Sequence, residues 1–340
     1  MIPNHNGGED LRKCLEALTN STRPPDEIIV IDDASTDESI QIAQRYGAIV
    51  LYQKGSPLGP AKARNRGAAA AQGDILIFID ADVKVHRDSL ALIERYLFEH
   101  PEISALFGSY DDAPPHRSLV SLYKHLQNHH VHQHSKREAS TFWTGLGAIR
   151  RDVFIRLGGF KETFARPSIE DIELGVRLRQ SGHQIWLCSD IQATHLKRWN
   201  LLSLLRSDIF DRAVPWTRLI LSTSQVPTEL NLDVKSRASA LIVWSFILFT
   251  MLGFWFPIAW IGAALLLGAL ITLNLPLYHS FIKVGGLGFT VGALGLHMLY
   301  FVYSSLTFTF LSTWNFISNL VRPLRPTAGV DGLIEDPSND

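Results

Sequence analysis

At 340 residues the chain is longer than one hydrophobic core usually organises, so one full-sized domain plus a smaller part is expected. Its 32 basic and 33 acidic residues leave a formal net charge of −1, which removes any global electrostatic reason to expect nucleic acid as a partner. Charged residues make up 19%, below the usual share of about 25%, and the deficit is concentrated in the C-terminal third.

In chain order, the first ten residues hold no apolar core and no cleavage pattern of a secretory signal. Leu11, Cys14, Leu15 and Leu18 are spaced as one helical face. Residues 27–31 read as a buried strand ending in Asp32 and Asp33, and residues 74–79 as another ending in Asp80, Ala81 and Asp82. Between them an alanine-rich helix over 61–71 follows Gly59 and Pro60. Short apolar runs alternating with helical segments predict βαβ units around a mostly parallel sheet, where ligands bind beyond the C-terminal strand ends. A further helix begins near Glu170 and is stopped by Gly182. Cys14 and Cys188 show neither metal nor disulfide spacing and suit a reducing compartment.

From Trp199 to Ser222, apolar residues mix with Arg206, Asp208, Asp211, Arg212 and Arg218, as in an amphipathic helix pair lying on a bilayer or packing on the preceding domain. No Asp, Glu, Lys or Arg stands between Arg237 and Lys283, or between Lys283 and Arg322. Each tract exceeds the roughly 20 residues of a spanning helix. The first is long enough for two spans broken near Pro257, and the second holds one around 287–311. Lys235 and Arg237 beside the first tract place the preceding domain in the cytoplasm, although Arg322 and Arg325 after the last would suit an even number of spans. The expected organisation is a catalytic domain over 1–198, interfacial helices over 199–236, about three transmembrane helices over 237–322 and a polar tail over 323–340.

The chemistry is carried by carboxylates. Asp80 and Asp82, separated by one residue at a strand end, can hold one Mg²⁺ or Mn²⁺ that also takes diphosphate oxygens. Asp32 and Asp33 end the earlier strand; they suit either an acceptor for a base-edge N–H or a turn capped by Ser35 or Asp37. Arg64 would bring positive charge to a phosphate-binding helix N-terminus, or be a solvated helix charge. Glu170 and Asp171 fall in a first helical turn, where the dipole favours acids, and either could serve as a general base. His129, His130, His132 and His134 read as an exposed polar stretch rather than an acceptor or lipid-headgroup site, and Trp143 as a sugar-stacking or a packing aromatic.

The ordered series Pro3-Asn4-His5-Asn6-Gly7-Gly8, Asp32-Asp33-Ala34-Ser35, Ala63-Arg64-Asn65, Asp80-Ala81-Asp82 and Gly158-Gly159-Phe160 with Glu170-Asp171 resembles the family 2 glycosyltransferases over most of residues 1–200. The resemblance implies an α/β GT-A fold, a nucleotide-diphosphate sugar donor, a UDP-sugar above all, and inversion at the anomeric carbon. It implies that Pro3, Asn6 and Asp33 line the nucleotide pocket with Arg64 nearby. Asp80 would lie by ribose and metal, Asp82 would bind the metal, and Asp171 would be the base with Glu170 beside it. His195-Leu196-Lys197-Arg198-Trp199 is similar to the Gln-x-x-Arg-Trp signature of processive synthases in the family, with His in the leading place. That makes His195 a metal or diphosphate contact and Arg198 a diphosphate contact. Only Met1 and Ile2 precede the Pro3 motif, where the family carries a full apolar strand, so a short first strand is expected.

The activity so expected is transfer of one sugar to a membrane-associated lipid or glycan, with a hydroxyl acceptor favoured because an ionised phosphate needs no base. A processive polysaccharide synthase and a catalytically silent membrane scaffold are the alternatives.

Overall fold

The structure is a computed structural model that describes residues 1–164, 166–223 and 234–321. The expected polar tail, Arg322 and Arg325, and residues 224–233 of the interfacial segment lie outside the described residues.

Strand β1 (Ile2–Asn4) runs parallel to β2 (Ile29–Asp32), which runs parallel to β3 (Ile49–Tyr52). On its other side, the Met1 amine donates to the Ile77 carbonyl at 2.7 Å, and the Ile79 amide donates to the Met1 carbonyl at 3.1 Å. That is the bonding pattern of a parallel pair, and it joins β1 to β4 (Ile75–Ile79). Beyond β4 the order continues through β7 (Leu146–Arg150), β6 (Ile103–Tyr110) and β8 (Gln184–His195) to β5 (Val83–Val85). The sheet is mostly parallel, as expected, with β5 and β7 reversed. β7 is antiparallel to both β4 and β6, and β5 to β8, while β6 and β8 alone in this half run parallel. The reversal of β5 follows from connectivity: β4 turns back into it within three residues, too short for a crossover helix.

Helices cover both faces. Leu11, Cys14, Leu15 and Leu18 of α1 (Gly8–Thr19) bury the predicted face against Ile2 and Val30, together with Ile93 and Leu97 of α4 (Ser89–Glu99). Between them in sequence lie α2 (Ser39–Arg45) and α3 (Pro60–Ala70). On the opposite face the small side chains Ala61, Ala63 and Ala68 let α3 approach Ile29 and Ile31 closely. Phe78, Phe142, Phe154 and Phe160 fill the space beside it, with Phe78 edge-on to Phe160 at 5.1 Å. Cys14 and Cys188 are both free and buried.

Helix α5 (Leu119–His134) lies between the sheet and the C-terminal helices; α6 (Arg151–Arg156) and α7 (Glu170–Gln180) complete the domain. The predicted amphipathic pair is a continuous helical run: α8 (Leu201–Arg206), a π-helical segment Ser207–Ala213, and α9 (Val214–Thr223). Leu204 and Asp208 face inward, while Leu202, Arg206 and Phe210 face outward. Then come α10 (Val234–Leu252), α11 (Ala259–Leu273) and α12 (Leu275–Val321), with Pro257 in the turn between the first two as its position predicts. Two helices, Val234–Leu252 and Leu275–Ser318, are long and apolar enough to cross a membrane, with mean hydropathies of 1.3 and 1.4. α11 has 15 residues, about 22 Å of helix, shorter than a hydrocarbon core of about 30 Å. α12 breaks at Gly286, whose φ of 78° is left-handed, and Arg117 donates to the Val284 carbonyl that the break frees, at 2.7 Å.

A buried ion pair ties the two parts together. Lys124 of α5 donates to both oxygens of Asp208 at 2.8 and 3.0 Å, and Tyr303 of α12 donates to Asp208 Oδ2 at 2.6 Å. Burial pushes the Lys124 ammonium down to about 8 against the pull of Asp208.

Candidate active site

The C-terminal ends of β1, β2 and β4 converge on one edge of the sheet. Asp32, fully buried, accepts from Asn4 Nδ2 at 3.2 Å and from the Ser35 amide at 3.1 Å, so its carboxylate organises the turn. Asp33 accepts from the amides of Leu58 and Gly59, both at 2.8 Å. Gly59, at φ 92°, can present its N–H this way without a side-chain clash, and α3 starts on the next residue. Asn6 is itself left-handed at φ 54° and accepts from the Thr36 amide at 2.7 Å, which fastens the β1 loop to the β2 loop. Asp37, two residues before α2, accepts from the Ser39 amide at 3.0 Å. Pro3 sits half-buried beside Ile31.

Asp80 and Asp82 follow β4. Arg64, buried in α3, donates through Nη2 to Asp80 Oδ1 and through Nη1 to Glu170 Oε1, each at 2.7 Å. Its guanidinium is therefore turned onto carboxylates of the site, and one side chain brings the end of β4 to the first turn of α7. Glu170 also accepts from the Ser168 amide at 2.9 Å. Asp171 accepts from the Thr144 amide at 3.2 Å, the Thr144 hydroxyl at 3.3 Å and the Ile172 amide at 2.8 Å. Burial and the neighbouring Glu170 charge push the Asp171 carboxyl up to about 7, with Arg64 pulling the other way.

His195 ends β8 opposite Val83, so its Nε2 lies 3.4 Å from Asp82 Oδ2 while its ring stacks on Tyr110 at 4.5 Å. Burial alone would raise the Asp82 carboxyl, but His195 and Lys197 outweigh it and hold it below the usual carboxylate range. Arg198 is exposed just beyond the end of this strand. The four histidines form the last turns of α5 and are not the exposed stretch expected: His129, His130 and His132 are half-buried, and only His134 is exposed. α5 packs back on β6, bringing His129 Nδ1 to 2.7 Å from the Tyr110 carbonyl and the His132 ring to 4.9 Å from Trp143. Burial pushes both His130 and His132 down to about 4, so neither carries charge at neutral pH.

With this geometry the comparisons with known proteins agree. Residues 1–158 match the model of glycosyl transferase family 2, and residues 124–198 match one described as the N-terminal domain of galactosyltransferase. Residues 1–158, just under half of the chain, therefore resemble glycosyltransferase family 2. The chain is 27% identical over 234 residues to the O-antigen chain rhamnosyltransferase RfbN of Salmonella typhimurium, covering 64% of this chain and 73% of that protein. It is 41% identical over 91 residues to the uncharacterized glycosyltransferase YibD of Escherichia coli, a match spanning 25% of this chain and 26% of that one. Among solved structures, the mannosyltransferase PcManGT of Pyrobaculum calidifontis superposes with a TM-score of 0.58 at 17% identity, covering 91% of this chain and 85% of that one. The fold is the GT-A glycosyltransferase fold.

Three residues of this site escape a reading by residue chemistry alone. Thr144 supplies two of the donors that hold Asp171, and only its place beside Trp143 pointed toward the acceptor side. Asn65 donates to the Phe160 carbonyl and accepts from the Phe160 amide, both at 2.9 Å, which anchors the Gly158-Gly159-Phe160 turn to α3. Gly175 lies inside α7, where a Cβ would stand 2.3 Å from the Phe142 nitrogen and 2.6 Å from the Thr141 carbonyl carbon. An isolated glycine in a helix is the available signal for such a close approach.

The residues present fit a divalent ion. Asp80 gives Oδ1 to Arg64 and Asp82 gives Oδ2 to His195, which leaves each with a second oxygen for a hard cation. Among the described residues no group of three or more His, Cys, Asp and Glu side chains could hold a metal. One or two carboxylates completed by substrate phosphates is the usual arrangement for Mg²⁺.

Proposed function

We propose that the protein is an inverting, metal-dependent glycosyltransferase that moves one sugar from a nucleotide-diphosphate donor, a UDP-sugar above all, to a hydroxyl of a membrane-associated lipid or glycan. The observation that carries this reading is the pairing, through Arg64, of Asp80 beside Asp82 with the first turn of α7, which holds Asp171. The donor nucleotide lies over Pro3, Asn6 and Asp33, with its diphosphate toward Asp80, Asp82, His195 and Arg198. A bound Mg²⁺ or Mn²⁺ supplies charge compensation for the departing diphosphate. Asp171, with a carboxyl near 7, is matched in basicity to take the acceptor hydroxyl's proton at neutral pH. Glu170 is held by Arg64 and Ser168, which supports a single displacement with inversion over a double displacement through Glu170.

Apolar surfaces of α10, α11 and α12, including Leu241, Leu265 and Phe310, are exposed and suit lipid, so these helices anchor the chain with the catalytic domain on the cytoplasmic side. The likeness to RfbN, named as an O-antigen chain rhamnosyltransferase, supports a glycan or lipid-linked acceptor. PcManGT, solved with GDP-Man and Mn²⁺, supports the metal.

The test is a panel of UDP-, GDP- and dTDP-sugars with detergent-solubilised protein, with Mn²⁺ or Mg²⁺ and with EDTA. Nucleoside diphosphate release from one donor, lost in EDTA and in Asp82→Ala, is the expected result. The anomeric configuration of the product, read by NMR, then tests inversion. No release and no nucleotide binding from any donor would leave a silent scaffold as the better reading.

A further inference from the structure

Arg64 and Asn65 are adjacent in α3, yet they reach parts of the chain about a hundred residues away. Asn65 exchanges two hydrogen bonds with Phe160, and Arg64 grips Glu170 at the start of α7. The helix that carries them is itself fixed at its start by Asp33, which accepts from Gly59. Arg64 is 4% exposed, and its Nε is buried without a hydrogen-bond partner. Leaving a guanidinium donor dry and unmatched is unfavourable, so the residue's place depends on its two charge-assisted bonds. Those bonds go to Asp80, which stands on the donor side, and to Glu170, whose neighbour Asp171 stands on the acceptor side. A lysine at this position would put one nitrogen where Arg64 has two, so it could not hold both carboxylates in the same fixed geometry.

We propose that Arg64 is a positioning residue that couples the donor site to the N-terminal turn of α7, so that occupation of the donor site orders the turn that carries Asp171. This rests on the donor-site reading given above. A cation and diphosphate arriving at Asp80 fix the carboxylate that Arg64 holds; the other arm of the same planar group fixes Glu170, and with it the backbone of residues 168–172. Coupling of this kind is reciprocal: an ordered α7 turn also favours the donor.

The experiment is hydrogen exchange on the full chain in lipid nanodiscs, with and without UDP, GDP or dTDP, each with Mn²⁺, alongside calorimetric binding of the same nucleotides. In the wild type the nucleotide that binds should slow exchange of the amides in 166–172. In Arg64→Lys it should still bind, but those amides should exchange at the same rate with and without it. kcat should fall about 100-fold, as expected for a misplaced catalytic group, and nucleotide affinity should weaken by about 5-fold or more, because the coupling is reciprocal. Glu170→Gln, isosteric and at the other end of the bridge, is the second variant and should lose the same protection even if Arg64→Lys folds poorly. Equal protection in wild type and variants, or nucleotide binding without protection in the wild type, would overturn the coupling alone. Absence of binding by any of the three nucleotides to the wild type would overturn the donor site and the coupling together.

Discussion

The donor half and the acceptor-and-membrane half of this molecule hold their polar groups over different reaches of the chain. In the donor half most partners are near in sequence, 3 residues away for Asp32 and Ser35, 16 for Asp80 and Arg64 and 26 for Asp33 and Gly59, with Asp82 and His195 the long reach. In the other half the partners come from distant elements. Lys124, Asp208 and Tyr303 meet from α5, the π-helical segment and α12, and Asp171 is held by Thr144 from the loop before β7. Local satisfaction survives small changes elsewhere in the fold; long-range satisfaction requires the whole assembly. The proposed chemistry lies where the two meet, on Arg64.

The sharpest way to test that meeting point is Asp171→Asn. It preserves shape and removes the base, and transfer should fall by roughly 10²–10⁴-fold, the range for loss of general base catalysis. In the wild type, kcat should rise with pH through about 7, because Asp171 acts only when deprotonated and burial with Glu170 holds its carboxyl there. That acid limb should be missing from the residual activity of the variant. A pH–rate profile of both proteins with the same donor checks this, and an unchanged limb in Asp171→Asn would assign the base elsewhere.

A smaller effect, on stability, separates the halves. Lys124→Met removes the buried cation of Asp208, both side chains being 5% exposed, and leaves it only the more exposed Arg212 at 3.4 Å. Removing one partner of a buried pair costs about 3–5 kcal/mol. Arg12→Ala in α1 breaks pairs with Glu9 and Glu16 whose side chains are 39–59% exposed, where solvent screening leaves little to lose. Denaturation in detergent micelles should show the first variant much less stable and the second unchanged. Similar losses in both would mean that the α5–α12 contact does not depend on its ion pair.

The same contrast explains what the sequence made legible. The apolar runs before Asp32 and Asp80, the helical face of α1 and the break at Pro257 are local patterns, and each was recovered as a strand, a helix or a turn. The antiparallel insertion of β7 between β4 and β6 has no local signature, because it depends on pairing across about seventy residues. The acidic residues of the site stand out one by one, yet nothing in sequence spacing announces that Arg64 would turn to Asp80 and Glu170. The histidines misled for a related reason. A polar run looks exposed until α5 packs it on β6.

Gly175→Ala tests how far the site depends on that distant packing. Alanine is the better helix former by roughly 0.8–1.0 kcal/mol, so local propensity predicts stabilisation. The Cβ would, however, stand 2.3 Å from the Phe142 nitrogen, and backbone cannot yield as a side-chain tip can. Overpacking of this kind costs about 1–3 kcal/mol, so the net change should be a loss of stability. The segment pushed away runs from Thr141 to Thr144, whose amide and hydroxyl hold Asp171. Activity should therefore fall while nucleotide binding at the ends of β1, β2 and β4 is kept. Thermal denaturation, nucleotide affinity and kcat measured on one preparation separate the possibilities: a more stable variant with full activity would mean that α7 shifts freely and that Asp171 does not need Thr144.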